Sequence, residues 1–140
     1  MILRPWVLVG VSFLGMIDTL YLSLTRDTGP AVCHITEGCG DVLTSVYSEI
    51  GGIPISWFGF GFYLFVFGLA VFESGGSVQA IRWLRWPTLV AVLVSAVLFG
   101  IQGWVLEAWC EYCLTSAALS TLIFLTVWTA PRTQPVSSSE

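Results

Sequence analysis

Two pairs of cysteines dominate the chemistry that this sequence offers. Cys33 and Cys39 are separated by five residues, and Cys110 and Cys113 form a CxxC motif. A thiolate attacks a disulfide and passes on two electrons through a mixed disulfide, so two neighbouring pairs are what a relay needs. We therefore expect a Cys39–Cys110 link as the transfer species, with Cys33 receiving an external reductant and Cys113 facing a lipid-soluble acceptor.

The CxxC motif falls where a long apolar segment begins. Backbone N–H groups and the dipole at a helix N-terminus stabilise a thiolate, which predicts a lowered pKa for the Cys110 thiol. Glu111 is expected to oppose this effect through its like charge. Cys113 lies one helical turn deeper, nearer the hydrocarbon.

Two other interpretations of the cysteines stay open. The four thiols also suffice for two structural disulfides, as in many exported proteins, or for one zinc site. A disulfide within a CxxC motif closes only a small ring, so it stabilises a fold poorly. The CxxC motif is also common in redox proteins. The wider Cys33/Cys39 spacing is loose for half of a zinc site. Redox chemistry is the favoured interpretation, with no metal.

The elements that position these residues are membrane spans. The chain has 140 residues, of which 56% are hydrophobic and 10% charged, too apolar for a soluble domain of this size. The predicted fold class is an all-α integral membrane protein, a four-transmembrane-helix bundle with a long outer loop. Residues 1–131 are expected to form this single domain and residues 132–140 a polar tail. The predicted spans are 5–24, 53–72, 86–106 and 110–130.

The arginines predict the orientation of the bundle. Arg4, Arg82, Arg85 and Arg132 flank spans on one side, which places both termini in the cytoplasm, and Arg26 is the exception. The cysteines then lie on the opposite side, where disulfides persist. A net charge of -4 gives no indication of nucleic-acid binding.

The loops and the polar residues inside the spans carry further expectations. A short lid helix is predicted from Asp41 to Ile50, with Asp41 as its cap, and a flexible polar connector from Glu73 to Arg85. Asp18 in the first span is expected to bond a backbone or hydroxyl donor such as Thr19 or Tyr21 in a structural role, with proton transfer as the alternative. Gln102 is either a polar contact within the bundle or a partner of a quinone ring.

Several short motifs, in this order and spacing, resemble the vitamin K epoxide reductase family in its short bacterial form. The matching features span nearly the whole chain. They are Gly15-Met16-Ile17-Asp18-Thr19-Leu20-Tyr21-Leu22, the loop pair Cys33 and Cys39, Ser45 six residues later, Gly52-Ile53-Pro54, and the Cys110/Cys113 motif.

The resemblance implies a membrane enzyme that carries electrons from a reduced thioredoxin-like protein to Cys33/Cys39, then to Cys110/Cys113, then to a quinone. The quinone is ubiquinone, menaquinone or a related molecule, and Ser45 matches the family's serine or threonine that hydrogen-bonds its carbonyl. Because the sequence stops without a thioredoxin-like domain, a separate extracytoplasmic donor protein is expected.

The resemblance also has limits and rivals. Ala117 stands where animal members that reduce vitamin K epoxide have a tyrosine, which favours quinone reduction coupled to disulfide formation over epoxide reduction. The plasma membrane is the expected location. The DsbB family is the nearest redox rival, but it carries its CxxC motif in the first outer loop. A membrane scaffold or small transporter with structural disulfides is the alternative from another class.

Overall fold

The computed structural model describes residues 3–28, 33–76 and 79–131. Within these ranges four helices are long and apolar enough to cross a membrane, which confirms the predicted all-α membrane fold. The spanning helices are α1 Leu3–Thr28, α3 Ile55–Ser74, α4 Gln79–Gly100 with its π-helical continuation Ile101–Leu106, and α5 Glu111–Trp128.

The outer surface of the bundle is apolar. Large side chains such as Trp86, Leu93 and Val97 are each more than half exposed. A helix satisfies its backbone hydrogen bonds internally, so a bundle with an apolar exterior is stable in lipid. These side chains therefore face the hydrocarbon.

The spanning helices form a ring in which neighbours run antiparallel. α1 and α4 each contact both α3 and α5. Arg4 at the start of α1 donates from Nε to Glu73 at the end of α3, at 2.9 Å. The Arg85 guanidinium near the start of α4 lies 6.0 Å from the Trp128 ring at the end of α5. These contacts define one end of the bundle, and the cysteines lie at the other.

The packed core runs from the middle of the bundle to the end away from the cysteines. Tyr63 is its largest buried side chain, and its ring lies against the backbone of α1 at Gly15, where an added Cβ would overlap it. α1 and α3 can approach this closely only with glycine at position 15. The buried members of the core are Leu8, Tyr63, Val66, Ala70, Ile81, Leu84, Ile123, Val127 and Ala130.

The connection between α3 and α4 differs from the expectation. α3 continues to Ser74 and α4 begins at Gln79, so the predicted connector from Glu73 to Arg85 is wrong. Long arginine side chains can lie on a membrane helix near its end, because their charged heads reach the aqueous interface. The polar sequence around Arg82 and Arg85 therefore belongs to the helix.

The outer loop contains the expected short helix, shifted along the chain. α2 runs Cys39–Thr44, with Gly38 at its N-cap, so the prediction of Asp41 as the cap is wrong. Asp41 lies in the first turn instead, where its charge suits the helix dipole. The helix ends because Ser45 has extended backbone, with ψ at 155°.

A short hairpin completes the loop before α3. After a single 3₁₀ turn at Val46–Ser48, β1 Glu49–Ile50 pairs antiparallel with β2 Ile53–Pro54. Arg26 at the end of α1 donates to Glu49 Oε2 at 2.8 Å. This contact joins the hairpin to the first span.

Candidate active site

All four cysteines meet at one end of the bundle. Cys39 and Cys110 are fully buried beside Val42, and Cys33 and Cys113 pack against them. Cys33 and Cys39 are joined as a disulfide, with Cα atoms 5.9 Å apart. Cys110 and Cys113 are free thiols. The tertiary structure therefore brings together two pairs that are far apart in the chain.

Cys110 is the N-cap of α5, as the sequence predicts. Its Sγ accepts a hydrogen bond from the Cys113 backbone amide at 3.3 Å. Hydrogen bonding from the Cys113 side chain lowers the pKa of the Cys110 thiol, with further lowering from the Cys113 and Tyr112 amides, against the opposing effect of burial. The lowered pKa is thus confirmed, and its main cause is the second thiol of the motif.

Glu111 has a different role from the one expected. Its two carboxylate oxygens accept hydrogen bonds from the backbone amides of His34 and Ile35, each at 2.7 Å. These amides belong to the loop that carries the disulfide. The negative charge of Glu111 is thus engaged by that loop.

Gln102 positions the segment that leads into the CxxC motif. Its Oε1 accepts from the Cys110 amide at 3.0 Å, and its backbone carbonyl accepts from the Ala108 amide at 3.1 Å. The turn that leads from the π-helical segment to Cys110 begins at Glu107, which has a left-handed φ of 49°. Gln102 lies in the π-helical segment, an irregularity frequent at functional sites. The contact within the bundle, one of the two expectations, is confirmed.

A large cavity lies beside Cys113 and extends along α4 from Gln102 to Trp86. Its volume is about 590 Å³, within the range of small-molecule sites. Most of its lining is apolar, and Gln102 and Ala117 also contribute to its wall. Phe58 and Val90 line it and are 52% and 56% exposed, so the cavity reaches the lipid-facing surface between α3 and α4.

Ser45 does not line this cavity. Its hydroxyl donates to the Val42 carbonyl at 2.7 Å, at the end of α2. Ser48, three residues later, lines the cavity but donates to the Leu43 and Ser45 carbonyls. In this arrangement the donor hydrogens of both serines are already used by the backbone.

The sequence did not single out a set of hydroxyl contacts between helices around the cavity. Tyr63 donates to the Ser116 carbonyl at 2.6 Å, and its hydroxyl is 3.0 Å from the Ser116 hydroxyl. Ser95 and Ser120 are joined at 3.1 Å. Each pair joins different helices, and only their positions within apolar spans hinted at such contacts.

Asp18 lacks the partner expected from its neighbour. The Thr19 hydroxyl donates to the Gly15 carbonyl at 2.7 Å, a bond within α1. Oδ2 of Asp18 is buried without a hydrogen-bond partner among the described residues. The expected bond from Thr19 is therefore wrong.

The described helices form a membrane bundle in which the CxxC thiols, of which Cys110 is fully buried, lie beside a loop disulfide, an arrangement suited to thiol–disulfide exchange. The chain belongs to the vitamin K epoxide reductase family, because a model of that family matches residues 6–128. It is also 33% identical over 123 residues to the thiol-disulfide oxidoreductase LTO1 of Arabidopsis thaliana. That alignment covers 80% of this chain, which spans about a third of the relative's length.

Proposed function

We propose that this protein relays electrons from a reduced thioredoxin-like protein to a membrane quinone and thereby generates disulfides. The observation that carries the proposal is the position of Cys113. This residue packs in the cysteine cluster and also lines the cavity. It is therefore the point at which thiol chemistry can meet a lipid-soluble acceptor.

The first two steps are thiol–disulfide exchanges. The donor's dithiol reduces the Cys33–Cys39 disulfide, entering at Cys33, which is less buried than Cys39. The Cys39 thiolate then attacks Cys110 of an oxidised CxxC pair, and Cys113 leaves with the electron pair. Attack of Cys33 on Cys39 resolves the mixed disulfide and releases the Cys110 thiolate. A leaving thiol with a lowered pKa speeds this last step.

The final step oxidises the CxxC pair. A quinone bound beside Cys113 supplies an acceptor for two electrons and two protons. Cys110 and Cys113 lose these together and form their disulfide, so atoms and charge balance. The arrangement described above, with a loop disulfide and two free thiols, corresponds to the stage just before this step.

The dimensions and lining of the cavity fit a quinone. An apolar cavity of about 590 Å³ with few polar groups suits an aromatic ring. Its opening between α3 and α4 allows an isoprenoid tail to extend into lipid. Ser45 remains a prediction as a ring contact, because its hydroxyl must first break its bond to the Val42 carbonyl.

We also propose that the active site faces the extracytoplasmic side of the plasma membrane. Arg4, Arg82 and Arg85 all lie on the helix ends opposite the cysteines, and positive charge favours the cytoplasm. Arg132 lies outside the described residues. The site then shares a compartment with exported thiol proteins.

A quinone reduction assay tests the relay. The purified protein in detergent is supplied with a reduced thioredoxin-like protein and with ubiquinone or menaquinone, and quinone absorbance is followed. Wild type is expected to turn over, and Cys113→Ala is expected to lose turnover completely because the last disulfide cannot form. Thr115→Ala, an exposed change on the same helix, is the control and is expected to keep activity.

Two results would contradict the relay. If Cys113→Ala kept turnover, electrons would reach the acceptor by another route. If folded wild type reduced no quinone from any donor, the function of a scaffold or transporter with structural cysteines would be favoured.

A further inference from the structure

We infer that Glu111 is a positioning residue that docks the Cys33–Cys39 disulfide against the Cys110/Cys113 pair. It does so by binding the two backbone amides that follow Cys33. The inference rests on the relay proposed above and assigns a residue that controls its internal step.

The first observation is the pair of hydrogen bonds at Glu111. One carboxylate oxygen accepts from the His34 amide and the other from the Ile35 amide, each at 2.7 Å. Bonds to an ionised carboxylate are shorter and stronger than those between neutral groups. Glu111 directly follows Cys110, and His34 directly follows Cys33. One side chain therefore joins the neighbours of both redox pairs.

A second, independent contact lies at the other end of the same loop. Gly38 packs so closely on the segment before the CxxC motif that a Cβ there would lie 2.6 Å from the Trp109 nitrogen and 2.9 Å from its carbonyl oxygen. Gly38 precedes Cys39, and Trp109 precedes Cys110. The small ring that the disulfide closes is thus held against the CxxC segment at both of its ends.

Docking places the sulfur atoms for exchange. The buried cluster includes Cys39 and Cys110. In the last exchange of the proposed relay, the Cys33 thiolate attacks Cys39 of the mixed disulfide, the Cys39–Cys110 bond breaks, and the electron pair moves to Cys110. The Thr36 hydroxyl lies 3.3 Å from the Cys33 sulfur and donates to it, which stabilises the attacking thiolate.

The benefit of docking is a high effective concentration of one sulfur at the other. Reactions between groups held in the correct geometry avoid the entropy cost of finding each other. Without the Glu111 bonds the loop has more freedom, and Cys39 meets Cys110 less often. Loss of these bonds leaves the reactivity of the Cys110 thiol itself unchanged. The rate should therefore fall only for the exchange between Cys39 and Cys110.

The test measures that internal step without any quinone. In a Cys33→Ser, Cys113→Ser background, Cys39 and Cys110 are the two remaining cysteines and close one disulfide in a glutathione redox buffer. The rate of closure is followed by mass spectrometry of alkylated samples. Glu111→Ala is expected to slow closure on the order of tenfold. Glu111→Gln keeps one acceptor oxygen, so its rate of closure should lie between the rates of Glu111→Ala and of the background with native Glu111.

Two controls separate positioning from general damage. Glu107→Gln removes another exposed carboxylate from the same face and should close at the native rate. In a variant that also carries Cys39→Ser, the reaction of Cys110 with glutathione disulfide reports the thiol alone. Glu111→Ala should not slow this reaction. If Glu111→Ala slowed both disulfide closure and the reaction with glutathione disulfide, the inference would be overturned. It would also be overturned if Glu111→Ala left the rate of closure unchanged.

Amide hydrogen exchange on the wild-type protein gives a second test that requires no variant. Bonded amides exchange slowly, so those of His34 and Ile35 should be protected relative to the neighbouring Glu37 amide. Equal, fast exchange at all three would overturn the docking. If the two-cysteine background with native Glu111 closed the Cys39–Cys110 bond rapidly while the wild type reduced no quinone, the relay would be contradicted and the docking would stay in place.

Discussion

At position 113 one side chain belongs to two environments. Cys113 packs with the buried sulfur atoms, and it also forms part of the cavity wall. Its partner Cys110 is fully buried at the start of α5, away from water. In the proposed relay, this difference in surroundings separates the tasks of the two thiols, because Cys110 exchanges with the loop pair and Cys113 faces the acceptor.

The lowered pKa of Cys110 leads to a prediction at the residue scale. Hydrogen bonding from the Cys113 side chain is the largest cause of the lowering. Cys113→Ala removes this donor, so the pKa of the Cys110 thiol should rise and its thiolate should form only at higher pH. The measurement is a pH titration of thiolate ultraviolet absorbance, with Cys110→Ser as the blank.

The same titration includes a control. Thr115→Ala lies on the exposed face of α5 and should leave the titration curve unchanged. If the Cys113→Ala curve coincided with wild type, backbone amides alone would account for the lowered pKa.

At the scale of elements, the π-helical end of α4 fixes where α5 begins. The Gln102 side chain and its carbonyl bind the amides of Cys110 and Ala108, which holds the turn through Glu107 against the helix end. A side chain that caps a neighbouring helix in this way replaces a partner that water cannot supply in a buried site. The irregular segment therefore determines the position of the CxxC motif.

Gln102→Leu should test this element. The change leaves the buried Cys110 amide without its acceptor, at a cost of about 1–3 kcal/mol in the free energy of unfolding. Gln102→Glu keeps an oxygen and should recover much of that loss. Unfolding of the detergent-solubilised protein by heat, monitored by circular dichroism, gives the comparison.

Gln79→Leu is the matched control, because the same substitution occurs at an exposed position at the start of α4. It should leave stability nearly unchanged. Equal stability of Gln102→Leu and wild type would mean that the Cys110 amide finds another acceptor.

At the scale of the whole molecule, the bundle combines a packed core with a cavity. The core extends from Tyr63 to the end that carries the Arg4–Glu73 pair, whereas the cavity is lined by both Tyr63 and Cys113. The core supplies stability, and the cavity leaves room for a ligand. One end of the bundle is thus structural and the other chemical.

This division leads to a prediction about orientation in the membrane. Ser74 is exposed at the end opposite the cysteines, and Glu37 is exposed in the disulfide loop. In a variant without native cysteines, Glu37→Cys should react with an impermeant maleimide added to intact cells or spheroplasts. In the proposed orientation, which puts the arginine-bearing end in the cytoplasm, Ser74→Cys should react only after the membrane is opened. The reverse pattern of labelling would contradict the proposed orientation.

The sequence by itself determined that the chain has four spans and that the cysteines lie at one end of them. Length and hydropathy suffice for spans, because a bilayer imposes one dimension on every helix. The N-cap position of Cys110 followed equally from local signals. Only the tertiary structure decided that Glu111 binds the disulfide loop, that Gln102 holds the Cys110 amide, and that Cys113 lines the cavity. Such contacts join residues on different elements, and their partners are chosen by helix packing, which no local pattern encodes.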